Sequence, residues 1–194
     1  METAPFIVGI GGSTSPTSVT NRLLAACLDH ASALGARTDA VYGAELAELP
    51  IFTMSVTPDP AAQRMVDAVR SADCVVIASP GYHGGMSGLV KNAVDHLEML
   101  RDDARPYLDG RAVGVIVSAA GWQACGTTLV SLRSTTHALR GWPTPFGVTV
   151  NSAEPTDGPD GSFTPRIDGA LRILAGQLLD FARWQAAARA GAPQ

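Results

Sequence analysis

Residues 74–88 read Cys74-Val75-Val76-Ile77-Ala78-Ser79-Pro80-Gly81-Tyr82-His83-Gly84-Gly85-Met86-Ser87-Gly88. A short apolar run is stopped by Ser79-Pro80-Gly81. A continuous run, rather than an alternating one, marks a strand covered on both faces, as in a parallel sheet with helices on either side. Two runs of the same kind are Phe6-Ile7-Val8-Gly9-Ile10 and Val113-Gly114-Val115-Ile116-Val117. Further strands fit Arg37 to Tyr42 and Pro143 to Val150.

Between the strands, apolar residues recur at helical spacing. Leu23, Leu24, Cys27, Leu28 and Ala31 form one set. Met65, Val66 and Val69 form another, after a start at Pro58-Asp59-Pro60. Leu89, Val90, Ala93, Val94, Leu97 and Leu100 make a wide stripe. A helix is expected from about Gly126 to Arg140, and a closing one carries Leu171, Leu174, Leu178 and Phe181. Asn151 to Pro165 reads as a polar loop, and Ala186 to Gln194 as a frayed tail. The expectation is a doubly wound α/β fold in a single domain spanning 1–194, with its core at about 5–185. Its parallel sheet has five strands in the order 2-1-3-4-5 and helices on both faces. Ligands of such sheets bind beyond the carboxyl ends of the strands, at the switch point between strands 1 and 3.

Composition narrows the function. The chain has 194 residues, 14 basic and 18 acidic, for a net charge of −4. That balance excludes the basic face of a nucleic-acid binder and a polybasic membrane-surface segment. No stretch approaches the roughly 18 apolar residues of a membrane span. The start METAPFIVGIGGS has neither the basic region nor the long apolar region of a signal peptide. Cys27, Cys74 and Cys125 form no CxxC pair, which fits a reducing cytoplasm. All but one of the basic residues are Arg; the exception is Lys91.

Three segments carry the chemistry, each just after a strand. Gly11-Gly12-Ser13-Thr14-Ser15-Pro16-Thr17-Ser18-Val19-Thr20 leads into a helix and is crowded with hydroxyls. Glycines admit close backbone approach, and a helix start offers free N–H groups and a positive dipole end. The segment reads either as a phosphate site or as a plain turn with Ser and Thr as helix caps. It has no Lys, so it is not a GxxxxGK[ST] loop. The second segment, Ser79 to Gly88, holds four glycines and one aromatic, Tyr82. Its glycines let a flat ligand approach the backbone. His83 reads as a catalytic group or a loop hydrogen bond, and no second His or Cys at ligand spacing makes it a metal ligand. The third, Ser118-Ala119-Ala120-Gly121-Trp122-Gln123, places small residues beside an aromatic that borders a ring or is simply buried. Cys125 has no adjacent base and reads as an inert thiol.

These residues resemble the NADPH-dependent FMN reductase family, over roughly residues 5–150. The first family loop is similar to Gly12-Ser13-x-x-x-x-Ser18. The second is similar to Ser79-Pro80-x-Tyr82, followed by Gly88-x-x-Lys91-Asn92-Ala93-x-Asp95. Many relatives have Arg where Ser15 stands, and Glu and Asn where Gly81 and His83 flank Tyr82. The loop thus lacks a charge partner for a phosphate dianion, and hydroxyls, helix N–H groups and Arg22 would serve instead.

The resemblance implies a flavodoxin-like fold with FMN and NADPH as cofactors. It implies a phosphate site at Ser13, Ser15, Ser18, Val19 and Thr20. The isoalloxazine site falls at Pro80, Gly81, Tyr82, His83 and Gly84, covered on its other side by Ser118, Gly121, Trp122 and Gln123. It further implies hydride transfer from nicotinamide to FMN, with no catalytic side chain and no metal. Reduced flavin then serves a partner monooxygenase or a quinone or azo acceptor. A homodimer or homotetramer follows, with the Lys91–Leu100 helix at the contact, and Lys91 reads as a structural salt bridge or subunit contact. The alternative is a non-enzymatic flavodoxin-like FMN electron carrier.

Overall fold

The computed structural model describes residues 4–15, 17–54 and 59–191. The expectations for Pro16, Pro58 and the last three residues lie outside these. In chain order the elements are β1 (Phe6–Gly11), α1 (Val19–Ala33), β2 (Arg37–Val41), α2 (Gly43–Ala47), α3 (Pro60–Ser71), β3 (Cys74–Tyr82) and β4 (Gly85–Met86). Then follow α4 (Gly88–His96), a 3-10 turn (Leu97–Leu100), β5 (Ala112–Ala119), α5 (Trp122–Ala138), β6 (Trp142–Pro143), β7 (Val148–Asn151) and α6 (Pro165–Gly191).

The parallel sheet runs β2-β1-β3-β5, with β6 and β7 both on the outer side of β5. The expected order therefore holds, but among the described residues the sheet has seven strands instead of five. The fifth position is split between β6 and β7. Pro143 and Pro145 cannot donate to a ladder, and the chain bends between them as the Thr144 hydroxyl donates to the Phe146 carbonyl at 2.8 Å. The extra strand β4 is the return arm of a hairpin with the end of β3. The third strand does not stop at Ser79-Pro80. Pairing with β1 ends at Ala78, so β3 is an edge on that side beyond it, where a proline is tolerated.

Successive strand residues feed opposite cores, which explains the unbroken apolar runs. Val8, Ile10, Val75, Ile77, Val113, Val115 and Val117 pack with α3, α4 and Leu132 of α5. Ile7, Cys74, Val76, Ala112, Ile116, Val148 and Val150 pack with α1 and α6. The wide stripe Val90, Ala93, Val94, Leu97 and Leu100 is consumed by the first of these cores. It therefore gives no support to a subunit contact. The helix itself ends at His96, and Lys91 bonds both carboxylate oxygens of Asp95 at 2.7 Å on its own helix. The tail expected to fray from Ala186 continues α6 through Gly191. No described helix is long and apolar enough to cross a membrane.

Candidate functional site

The parallel register sets the carboxyl ends of β1, β3 and β5 side by side, with Gly11 opposite Ala78 and Pro80 opposite Ser118. The three motif segments therefore converge on one end of the sheet. Gly12 ties the first to its neighbours: its N–H donates to the Ala78 carbonyl at 2.9 Å. A Cβ there would overlap Val90 Cγ2 and lie 3.0 Å from Ser87 Oγ.

The starts of the helices differ in a way that matters for anions. Ser87 caps α4: its hydroxyl accepts from Val90 N at 3.3 Å and donates to the Gly12 carbonyl at 3.0 Å. Ser18, at the same place before α1, makes no side-chain cap. The N–H groups of Val19, Thr20 and Asn21 have no acceptor among the described residues. An uncapped first turn, with the hydroxyls of Ser13, Ser15 and Ser18 around it, suits a phosphate. The plain-turn reading, with Ser18 as cap, does not match this geometry. Ser87→Ala is expected to cost about 1–2 kcal/mol, the usual value of a lost N-cap. A denaturant midpoint unchanged from the parent would refute the double role of this hydroxyl.

The hydroxyls of two expected ligands are engaged with each other. Thr20 and Ser118 are buried, and their hydroxyls bond each other at 2.6 Å. This bond joins the start of α1 to the end of β5. Thr20→Val keeps the shape but leaves Ser118 Oγ without its partner, at a cost of about 1–3 kcal/mol. Urea unfolding checks this, and a loss under a few tenths would contradict it.

Ser79 to Gly88, read as a βα loop, is largely a hairpin. Tyr82 pairs with Gly85 and Gly81 with Met86, so His83 and Gly84 form a two-residue hairpin turn. Both have positive φ, 52° and 85°, as a type I′ turn requires. The Ser79 hydroxyl braces the hairpin, accepting from Ser87 N at 2.9 Å. The turn amides of His83 and Gly84 have no acceptor among the described residues, so two backbone donors point out of the tip. Tyr82 is exposed, at 58%. The His83 side chain makes no hydrogen bond among the described residues, against the reading of it as a loop hydrogen bond.

The third segment is also shifted. α5 starts at Trp122, not Gly126, because Gly121, at φ 130°, takes the N-cap position. Trp122 and Gln123 thus stand in the first turn of a helix, and both are exposed. Sequence reading missed what holds them. Asn151 accepts from Gly121 N at 2.8 Å, and Glu154 accepts from the Trp122 indole at 2.6 Å and from Asn151 Nδ2 at 3.0 Å. Asn21 was missed too: its amide donates to the carbonyls of Ser13 at 2.8 Å and Ser15 at 3.3 Å, fixing the first loop. None of these has a local sequence signature, because each acts on a distant segment or through the backbone.

Arg22 does not stand free beside the phosphate loop. Its guanidinium is paired with Asp157 at 2.7 Å, and this hydrogen bond holds the Asp157 carboxyl below the usual carboxylate range. The three thiols are buried, and burial pushes Cys27 and Cys74 up to about 12 and Cys125 in the same direction. No group of three or more His, Cys, Asp or Glu that could hold a metal occurs among the described residues. The site is thus a cradle of backbone donors, hydroxyls and two exposed rings. Those donors fit a flavin mononucleotide, with an anion at one end and a flat polar-edged ring at the other.

Comparison with known proteins agrees. The chain is 31% identical to the FMN-dependent NADPH-azoreductase of Staphylococcus aureus over 127 residues. That match covers 61% of this chain and 64% of the relative, under two thirds of its length. Among solved structures, it superposes on an oxidoreductase from Corynebacterium diphtheriae with a TM-score of 0.76 and 19% identity, covering 93% of this chain and 98% of that one. A WrbA-like flavodoxin from Agrobacterium tumefaciens matches with a TM-score of 0.64 and 16% identity, covering 94% and 99%. These two likenesses show a flavodoxin-like fold. Residues 5–155 match the NADPH-dependent FMN reductase family, and the chain belongs to that family.

Proposed function

We propose that this chain binds FMN across the carboxyl ends of β1, β3 and β5 and reduces it with NADPH. The observation that carries this reading is the start of α1 without a side-chain cap, together with a hairpin tip whose two amides have no acceptor among the described residues, on the carboxyl-end side of the sheet. The phosphate would sit on the N–H groups of Val19, Thr20 and Asn21, among the hydroxyls of Ser13, Ser15 and Ser18. Pro80, Gly81 and Tyr82 would flank the ring, and the amides of His83 and Gly84 would meet its polar edge. Gly121, Trp122 and Gln123 would border the opposite side. Ser118 and Thr20 would hold these walls together from below.

When bound, FMN supplies the electron chemistry, taking a hydride from the nicotinamide and passing two electrons to an acceptor. The protein's part is to orient the rings and to leave one face open. No acid or base is required of a side chain at that step, and the exposed rings of Tyr82 and Trp122 suit a planar acceptor. Azo compounds, quinones and a flavin-dependent monooxygenase are the acceptors included in the proposal. So are a single domain over the chain, a cytoplasmic setting and a homodimer or homotetramer. The exposed Ile51 and Met54 near α4 support assembly, in place of the buried stripe.

The test mixes purified protein, FMN and NADPH and follows NADPH absorbance. Steady oxidation is expected. No turnover with any flavin, quinone or azo dye would remove the reductase reading. FMN retained through gel filtration without NADPH oxidation would identify an electron carrier.

A further inference from the structure

Between residues 6 and 36 the only Arg or Lys is Arg22, in the first turn of α1. Its guanidinium is engaged elsewhere. It donates to Asp157 Oδ2 at 3.1 Å and Oδ1 at 2.7 Å, and to the Gly161 carbonyl at 3.2 Å. It also lies 4.7 Å from the centre of the Phe163 ring. The loop that holds it is closed on itself. Asp157 and Phe163 form a backbone bridge, Gly158 N bonds Ser162 O at 2.8 Å, and Thr164 N bonds Thr156 O at 3.0 Å. A preformed loop thus presents a carboxylate to the one cation that its own segment brings to the phosphate cradle.

We propose that Asp157 sets the affinity of this chain for the FMN phosphate by competing with it for Arg22. This rests on the reading that the phosphate sits at the start of α1. Long helical side chains lean toward the N-terminus, so a change of rotamer would bring the Arg22 guanidinium over the first N–H groups of its own turn. Its pair with Asp157 is more than a third exposed on both sides, and such pairs separate at small cost. A phosphate dianion offers the guanidinium stronger charge-assisted bonds than one carboxylate does. The competition keeps a cation within reach of a loop without its own Arg and tempers its pull on the phosphate.

The test titrates the full chain with FMN, read by flavin fluorescence, and with riboflavin, which lacks the phosphate. Four proteins are compared: the parent, Asp157→Asn, Arg22→Gln and the double variant, each checked for an unchanged melting curve. Asp157→Asn is expected to bind FMN about threefold to tenfold tighter, with riboflavin unchanged. In the Arg22→Gln background the same substitution is expected to change FMN affinity less than about twofold, as a double-mutant cycle requires. No gain in Asp157→Asn, a gain that persists without Arg22, or an equal gain for riboflavin would overturn the proposal. FMN binding by none of the four would overturn the reading of the site itself, and this proposal with it.

Discussion

Gly43→Ala is expected to unfold more easily than the parent by about 3 kcal/mol and to bind FMN at least about tenfold more weakly. Gly43 opens α2 and is buried against the first loop. A Cβ there would overlap the Ser13 carbonyl carbon and oxygen and stand 2.7 Å from Thr14 N. All three atoms are backbone, so no rotamer change relieves the overlap. Either α2 or the phosphate loop must move. Gly176→Ala is the control, because a Cβ at that position meets nothing within 4 Å. It lies inside α6, where Ala is favoured over Gly by roughly 0.5–1 kcal/mol, so a slight gain is expected. Denaturant midpoints and flavin titrations of both variants decide the matter. Equal behaviour of the two would mean that the contact between Gly43 and the loop is not rigid.

Arg111→Met is expected to lose about 3–5 kcal/mol of stability. Arg111 stands just before β5, at the end of the sheet away from the site, and is fully buried. Its guanidinium faces no carboxylate within bonding distance among the described residues. It donates instead to four carbonyls: Ala72 at 3.2 Å, Tyr107 at 3.1 Å, Asp109 at 3.3 Å and Arg70 at 2.7 Å. These join the end of α3 to the loop before β5. Burial is the first cause that lowers its pKa, to about 10, with the charges of Arg105 and Arg189 adding to it. Methionine fills similar space but removes the donors to the Tyr107 and Arg70 carbonyls, while the Ala72 and Asp109 carbonyls keep longer bonds from Arg105 at 3.4 Å. Arg111→Lys should recover only part of the loss, since its point charge lacks the flat fork. The check is chemical unfolding with FMN affinity measured alongside. A variant as stable as the parent would show that Arg105 and water satisfy those carbonyls.

Arg111 also marks where sequence reading ends. The strands and their order were legible in the runs Phe6–Ile10, Cys74–Ala78 and Val113–Val117, because each strand buries both faces and needs no alternation. The convergence of the three motif segments was legible too, since glycines and hydroxyls cluster after adjacent strands. The hairpin was not, although Tyr82-His83-Gly84-Gly85 spells it in retrospect. Its first turn residue is a histidine, which adopts positive φ only where the strands on either side hold it there. The start of α5 was misplaced because Gly126 looks like a breaker, while Gly121 does the capping.

The sequence by itself determined the doubly wound sheet, the family and the gathering of the motif segments at one end of the sheet. All three depend on local patterns: apolar runs, helical spacing and glycines at fixed offsets. Only the tertiary structure decided which charges are spent and which are free. Arg22 and Arg111 look alike in the chain, yet one meets a carboxylate 135 residues away and the other four backbone carbonyls. Helix starts divide in the same way. Ser18 and Ser87 occupy matching N-cap positions, but only Ser87 caps its helix, because the Gly12 carbonyl holds its hydroxyl in place. Partners that come from distant segments leave no periodic trace, so the state of a polar group follows from the fold.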